Sequence, residues 1–101
     1  MFYIYIIYSD KSGIYYCGYS NDPVRRLKEH NSKPFNTYTA KHRPWYLKAY
    51  FNCSVVEAEA IRVEKIIKNQ KSSKLLKKLI DGYFIPTGKL AQLVRVQEVR
   101  D

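Results

Sequence analysis

Two short segments rich in β-branched and aromatic residues open the chain, one over residues 2–8 and the other over residues 14–19. A polar stretch that ends in Gly13 separates them, so the pattern predicts a β-hairpin. Successive side chains of a strand point to opposite faces, and residues 2–8 are apolar or aromatic on both faces. The first strand is therefore expected to be central in a sheet or covered on both sides.

A helix is predicted directly after the hairpin. Asp22 can cap its free amides, and Pro23 suits the first helical position. Val24 and Leu27 mark the stripe that we expect to be buried. Residues 33–44, which follow the helix, are polar and basic and contain two prolines, so a loop is predicted there.

The remaining elements are a third strand, predicted over residues 45–51, and two helices. The earlier helix begins with a predicted capping box, in which Ser54 and Glu57 satisfy each other's free amides. The later helix is short and basic, with Ser72 or Ser73 as its cap. The order β-β-α-β-α-α predicts an α+β fold, in which a three-stranded, mainly antiparallel β-sheet is flanked by helices.

Residues 1–82 fit one small domain. Residues 83–101 are interrupted by Pro86 and Gly88, show no clear apolar face and are interpreted as a C-terminal extension of unclear role. We expect a chain cut after residue 82 to keep its fold and its activity.

Basic residues exceed acidic ones by a wide margin, since 18 Lys and Arg against 9 Asp and Glu give a net charge of +9. Such a surplus favours a polyanionic partner, most often nucleic acid, with an anionic membrane as the alternative. No apolar stretch is long enough to span a membrane, and the apolar start lacks the basic residues of a signal peptide. We expect nucleic acid, DNA above all, as the partner, no membrane, and a monomer.

Two cysteines, Cys17 and Cys53, form neither a disulfide framework nor a CxxC pair. With His30 and His42 they could supply four metal ligands, but their even scatter lacks the paired spacing of structural zinc sites. Reduced, buried thiols in a cytoplasmic protein are the expected state.

Five side chains could together cut a phosphodiester bond, which needs an activated water or hydroxyl, relief of charge and a proton for the leaving oxygen. Tyr5 and Tyr16 lie on the paired strands and can project onto one face. Arg26 and His30 are spaced i, i+4 and so lie one turn apart on the helix, where the guanidinium can grip phosphate. Glu64 is a lone carboxylate among cations, a kind of residue that is commonly just a surface ion-pair partner.

The order and spacing of these five residues resemble the GIY-YIG nuclease family. Its signature runs tyrosine, Tyr-x-Gly, arginine, histidine or tyrosine, and then a distant glutamate. The resemblance covers residues 2–82. The segments 59–68 and 43–45 are similar in particular to its small stand-alone, single-domain (UPF0213-like) members.

Two letters of the family signature are absent. Tyr3 stands at the first glycine and Cys17 at the second isoleucine, both of which are non-catalytic positions in the family. Gly18 is kept and fits the end of the strand, where backbone must approach closely. Tyr19 follows, where some repair-type members carry lysine, so their detailed phosphate contacts are not carried over.

The resemblance implies a mechanism with one metal ion, Mg²⁺ or Mn²⁺, held by Glu64. Tyr5 would activate the attacking water as a general base if nearby cations acidify its phenol, or would itself be the nucleophile. Tyr16 would orient water or phosphate, Arg26 would neutralise the scissile phosphate, and His30 would support proton transfer.

Nucleic acid is expected to contact basic residues of the central loop and the second helix: Lys41, His42, Arg43, Lys65 and Lys68. Cations recur at every third position from Arg62 to Lys77, a row that would drift around a single continuous helix. A break near residues 69–73 would still let two helices present a joint positive surface. A solvated face that serves only solubility is the alternative.

We expect a metal-dependent endonuclease that hydrolyses phosphodiester bonds in DNA. Branched, nicked or single-stranded structure, as met in repair or recombination, would direct it rather than sequence, because no appended recognition domain is evident. Two other classes stay open: a non-catalytic nucleic-acid-binding module on the same scaffold, and an interaction module for an acidic protein. Glu64 with Tyr5 and Arg26 distinguishes them from an enzyme, since binding alone needs none of these residues in register.

Overall fold

The structure, a computed structural model, is an antiparallel sheet with helices packed on both faces, and it describes residues 1–33, 37–81, 88–90 and 93–96. Its elements are, in chain order, β1 (Phe2–Ser9), β2 (Ile14–Ser20), α1 (Pro23–Ser32), α2 (Thr37–Lys41), β3 (Tyr46–Ser54), α3 (Glu57–Asn69), α4 (Ser73–Asp81), one turn of 3₁₀ helix (Gly88–Leu90) and β4 (Val94–Arg95).

The sheet has the strand order β2-β1-β3-β4, and each neighbouring pair is antiparallel. The predicted α+β class and the central position of the first strand are confirmed. The strand count of three is wrong, because Val94 and Arg95 pair with Asn52 and Phe51 at the far edge of β3. A strand of two residues is too short for its side-chain alternation to be recognised in a sequence.

The two faces of β1 bury different side chains. On one face, called the α3 face, Ile4 and Ile6 pack with Val63 and Ile67 of α3. On the other, called the α1 face, the smaller cluster is built around Tyr5, and Leu27 of α1 packs against it.

Helix α1 begins as predicted, since the Asp22 carboxylate accepts a hydrogen bond of 3.1 Å from the backbone amide of Arg25. Its buried stripe is rotated from the predicted one. Val24 is 50% exposed, whereas Pro23 and His30 are buried. Positions i and i+7 lie on the same side of a helix, so this stripe is as regular as the predicted one and turns a histidine toward the sheet.

The predicted capping box at the start of α3 is wrong. Val56 occupies the cap position and makes no side-chain hydrogen bond there. Ser54 is still the last residue of β3, and its hydroxyl accepts instead from the amide of Val56, at 3.0 Å. The prediction for the next helix is confirmed at Ser72, whose hydroxyl accepts from the amide of Leu75 at 3.1 Å.

The segment 33–44, predicted to be a loop, contains the short helix α2. Trp45 anchors this helix, because its indole Nε1 donates to the carbonyl of Thr39 at 2.8 Å. Asn31, near the end of α1, accepts from the backbone amide of Trp45 and donates to its carbonyl. The peptide bond between Arg43 and Pro44 is cis. These contacts fix α2 beside the α1 face.

The described residues of the C-terminal segment pack on the domain. Leu90 and Leu93 are buried in the core of the α3 face. The Arg95 guanidinium donates to the carbonyls of Leu79, at 2.9 Å, and of Ile80. Pro86 lies outside the described residues. The domain boundary at residue 82 stays a prediction, but this burial reverses the effect that we expect from cutting there.

Both cysteines are buried, as predicted. None of the helices in the described ranges is long and apolar enough to cross a membrane.

Candidate active site

A buried pair of polar side chains, Tyr5 and His30, lies at the centre of the α1 face. The phenol oxygen of Tyr5, on the central strand β1, is 2.7 Å from Nε2 of His30 in the last turns of α1. Each residue is 1% exposed. Within the described residues, Nδ1 of His30 has no hydrogen-bond partner. The pair is therefore a preformed hydrogen bond with a proton-carrying group on each side, shielded from solvent.

Gly18 makes room for this pair. It lies directly opposite Tyr5 in the register of β1 and β2, so the two residues share a face. A Cβ added at Gly18 would lie 2.6 Å from Cζ of Tyr5, and nearer still to its hydroxyl oxygen. Real Cβ atoms do not approach other heavy atoms this closely. The group that approaches the Gly18 backbone is thus the phenol ring of Tyr5.

Burial sets the protonation states of the pair. It raises the pKa of Tyr5 well above its ordinary value, the Tyr16 phenol adds to the rise, and the Arg26 cation opposes it without reversing it. A general-base role for Tyr5 was predicted on the condition that nearby cations lower the pKa of its phenol. The free protein does not meet that condition. Burial, reinforced by the charge of Arg26, also lowers the pKa of His30 to about 4. At neutral pH both groups are uncharged.

Arg26 and Tyr16 border the pair. The Arg26 guanidinium interacts with the Tyr5 phenol and donates a hydrogen bond of 2.9 Å to the Glu29 carboxylate. The ring of Tyr16, on the edge strand β2, meets the His30 ring edge-on with 5.2 Å between centroids. The structure therefore gathers the four predicted catalytic side chains on one face.

Glu64 is not among these four side chains and is linked to them through Lys68. It projects from α3, which covers the opposite face, and its side chain is 17% exposed. Its carboxylate pairs at 3.6 Å with Nζ of Lys68, and that nitrogen lies 4.8 Å from the centroid of the Tyr16 ring. Lys68 thus bridges the carboxylate and the phenol beside β2.

The donor set around Glu64 fits a largely hydrated metal ion. Among the described residues, no three His, Cys, Asp or Glu side chains are grouped as a metal cage would require. Mg²⁺ is commonly held by one or two carboxylates together with waters and substrate phosphate oxygens. Glu64 therefore supplies the one carboxylate that such an ion requires, with water among its other ligands.

The five predicted nucleic-acid-binding residues differ in their surroundings. Lys41 and Lys65 are exposed, and Lys68 is in part engaged by Glu64. His42 is half-buried, with Nδ1 at 2.7 Å from the hydroxyl of Ser12 in the hairpin turn.

The fifth residue, Arg43, has a structural use. Its guanidinium donates through Nε to the carbonyl of His30 at 2.5 Å, and also to the carbonyl of Lys33. Arg43 thereby ties the segment before β3 to the end of α1.

Sequence reasoning missed two residues that shape the site. Asn31 holds the backbone of Trp45, as described above, and no sequence signal marks it. Tyr38 on α2 lies 6.1 Å, centroid to centroid, from Tyr16 and is 50% exposed. An aromatic residue inside a polar, basic segment was the signal that could have identified Tyr38.

Comparison with known proteins places these residues in a family context. The family model described as the GIY-YIG catalytic domain matches residues 1–78. A UPF0213 protein of Staphylococcus saprophyticus is 35% identical over 80 residues, which are 79% of this chain and 95% of that protein. No solved structure matches the chain. Tyr5, Tyr16, Arg26, His30 and Glu64 all fall within the range matched by the family model.

Proposed function

Since the chain belongs to the GIY-YIG family of nuclease domains, we propose that it is a metal-dependent endonuclease that hydrolyses phosphodiester bonds in DNA. The observation that carries this proposal is the buried Tyr5–His30 pair, with 2.7 Å between the phenol oxygen and Nε2. Binding of nucleic acid alone does not require a phenol and an imidazole in hydrogen-bond contact, removed from solvent, beside an arginine.

The proton moves through this pair. His30 is neutral at physiological pH because its pKa is about 4. In the tautomer protonated at Nδ1, its Nε2 accepts the proton of Tyr5, while the Tyr5 oxygen takes a proton from the attacking water. A phosphate beside Arg26 brings negative charge to the pair, which favours the resulting imidazolium. The high pKa of Tyr5 makes its anion a strong base once formed.

Arg26 and Glu64 serve the phosphate. Arg26 is partly exposed and can present its remaining N–H donors to a non-bridging oxygen while Glu29 orients it. Glu64 would hold Mg²⁺ or Mn²⁺, which supplies charge neutralisation at the phosphate and at the leaving oxygen when bound. Release of Glu64 from Lys68 frees that lysine for a second phosphate.

We propose that DNA structure rather than sequence directs cutting. The exposed cations Lys41 and Lys65 suit phosphate contacts, which position a nucleic acid without reading its bases. A monomer located in the cytoplasm remains the expectation for this domain.

A non-catalytic nucleic-acid-binding module is the second candidate, and one observation favours it. Tyr5 is 1% exposed and its pKa is raised, so the pair needs a local opening before water can reach the phenol. If no such opening follows DNA binding, the same residues would be only a packed polar cluster.

The experiment is cleavage of labelled single-stranded, duplex, flap and four-way-junction DNA, with binding to each recorded in parallel. Wild type and Glu64→Gln are compared in Mg²⁺, in Mn²⁺ and in EDTA. The proposal expects metal-dependent cutting that the variant loses while it still binds. Salt-sensitive binding without cutting by wild type would establish the binding module instead.

A further inference from the structure

A cleft of about 540 Å³ adjoins the candidate active site near the start of β2. Residues of α2, α3 and α4 also line this cleft. Its described lining comprises an apolar floor, three tyrosines, two lysines and two serines, together with Gly13 and Cys17, and it includes no Asp or Glu. The floor includes Ile14, Ile67 and Leu76. Pockets of this size take small organic ligands, and this one pairs apolar walls with positive charge only.

Two lysines give the cleft its charge. Lys68 lines the cleft beside Tyr16, with Nζ 4.8 Å from the centroid of that ring. Lys71 follows α3 and has a φ of +49°, in the left-handed region where glycine or asparagine commonly ends a helix. The backbone alone would favour glycine at this position, so the conformation does not explain the lysine. Lys71 is one of the residues that line the cleft.

Two tyrosines form one wall. Tyr16 and Tyr38 lie 6.1 Å apart with 36° between their planes, and Tyr38 is 50% exposed. His42 packs edge-on against Tyr38 at 5.0 Å and is itself held by Ser12. The exposed ring is therefore held by contacts with two neighbouring rings, which a stacking surface requires.

We propose that the cleft binds one unpaired nucleotide of single-stranded DNA, with its base against Tyr38 and its phosphates on Lys68 and Lys71. Proteins bind single strands through aromatic rings on which bases stack and cationic grooves that follow the backbone. A paired base cannot enter a concave cleft of this kind without leaving its stack. The proposal deepens the proposed function, on which it rests for its biological meaning, because it places an unpaired nucleotide next to Tyr16 and the cleavage site.

The first test separates base from phosphate binding, in EDTA so that cutting cannot interfere. Fluorescence anisotropy compares a labelled oligothymidylate with an abasic backbone of equal length. Wild type should bind the oligothymidylate on the order of tenfold more tightly, the usual contribution of a stacked base. Tyr38→Ala should lose this preference and keep its affinity for the abasic strand. A preference that survives Tyr38→Ala overturns the proposal, as does equally tight binding of a fully paired duplex.

The second test uses the backbone at Lys71. Lys71→Gly should unfold at the same or a higher temperature, because glycine adopts a φ of +49° without strain. It should nevertheless bind both strands more weakly, and the slope of log K against log salt should fall by about 0.7, as expected for one phosphate contact to a single strand. Lys78→Ala, an exposed cation of α4 outside the cleft, is the control and should leave the slope unchanged.

An unchanged salt slope for Lys71→Gly, or an equal fall in slope for Lys78→Ala, would reject the proposal that the cleft binds a nucleotide. Cleavage in Mg²⁺ is scored separately on the same proteins. If binding depends on the cleft but wild type does not cut, the nuclease proposal is rejected and the nucleotide-binding cleft stands. If wild type cuts and both cleft variants cut equally well, the cleft is rejected and the nuclease proposal stands.

Discussion

The two faces of the sheet bury different chemistry. On the α3 face Ile4, Ile6 and Val63 are fully buried and apolar. On the α1 face Tyr5 and His30 are 1% exposed and polar. An apolar face gains free energy from every atom removed from water, whereas polar atoms cost free energy unless their hydrogen bonds are replaced.

The α1 face replaces those hydrogen bonds only in part. One bond joins Tyr5 to His30, and among the described residues Nδ1 of His30 has no partner. A buried polar atom left in this state typically costs about 1–3 kcal/mol. We infer that the α3 face supplies most of the stability, and that the α1 face retains a less stable arrangement, which the proposed proton transfer would use.

The largest effect is expected from a truncation that disrupts the α3 face alone. A chain cut after residue 82 loses the buried side chains of Leu90 and Leu93 and the pairing of β4 with β3. Burial of two leucines contributes about 3–6 kcal/mol, so we expect a fall of that order in the free energy of unfolding, measured by urea titration. Val94→Ala, at a position 59% exposed, is the control. A truncated chain as stable as the full one would restore the interpretation of these residues as a dispensable extension.

The next largest effect is expected from a substitution in the α1 face. Gly18→Ala places a Cβ against the phenol of Tyr5 and should lower the free energy of unfolding by about 2 kcal/mol, in the range found for overpacked sites. In a Tyr5→Leu background the clashing atoms are gone, so the same change should cost much less. If Gly18→Ala costs the same free energy of unfolding in both backgrounds of this double-mutant cycle, Gly18 does not accommodate the phenol.

A smaller effect, the pH dependence of the free energy of unfolding, also distinguishes the α1 face from the α3 face. His30 has a pKa of about 4 in the folded protein and 6.5 as its ordinary value, so the unfolded chain binds a proton more readily. The stability from its neutral state is present above pH 6.5 and is lost as the pH falls toward 4, by about 2 kcal/mol at pH 5. His30→Gln, which does not titrate, should lose less stability than wild type between pH 7 and 5. Parallel curves for the two proteins would contradict the buried, neutral imidazole.

The sequence predicted those parts of the fold that local chemistry determines. The hairpin, the start of α1 at Asp22 and the cap of α4 at Ser72 each depend on residues close together in the chain. Helix α2 and strand β4 depend on distant partners: Trp45 holds α2, and residues of β3 pair with β4. Local patterns carry no information about such partners, and both elements were missed.

The candidate site divides in the same way. Spacing along strands and helices predicted that Tyr5 and Tyr16 project onto one face and that Arg26 and His30 lie one turn apart on α1. The direction of the Tyr5 pKa could not be predicted, because cations in the sequence suggested a fall while burial under α1 produces a rise. The edge-on packing of Tyr16 against His30 follows from the rotation of the buried stripe of α1, which is likewise a property of the whole fold.

The most direct test of the central claim compares two neighbouring residues that face opposite ways. Tyr5→Phe removes the hydroxyl that contacts His30, and Ile6→Val removes one buried carbon from the α3 face. The measurement is the single-turnover cleavage rate of the preferred DNA in Mg²⁺, with DNA binding and urea stability recorded for both variants.

We expect Tyr5→Phe to bind DNA normally and to cut it about 10²–10⁴-fold more slowly, the usual contribution of a positioned acid–base group. Ile6→Val should lose about 1 kcal/mol of stability and keep its cleavage rate. Cutting by Tyr5→Phe at the wild-type rate, or an equal loss of rate in both variants, would contradict the assignment of chemistry to the α1 face.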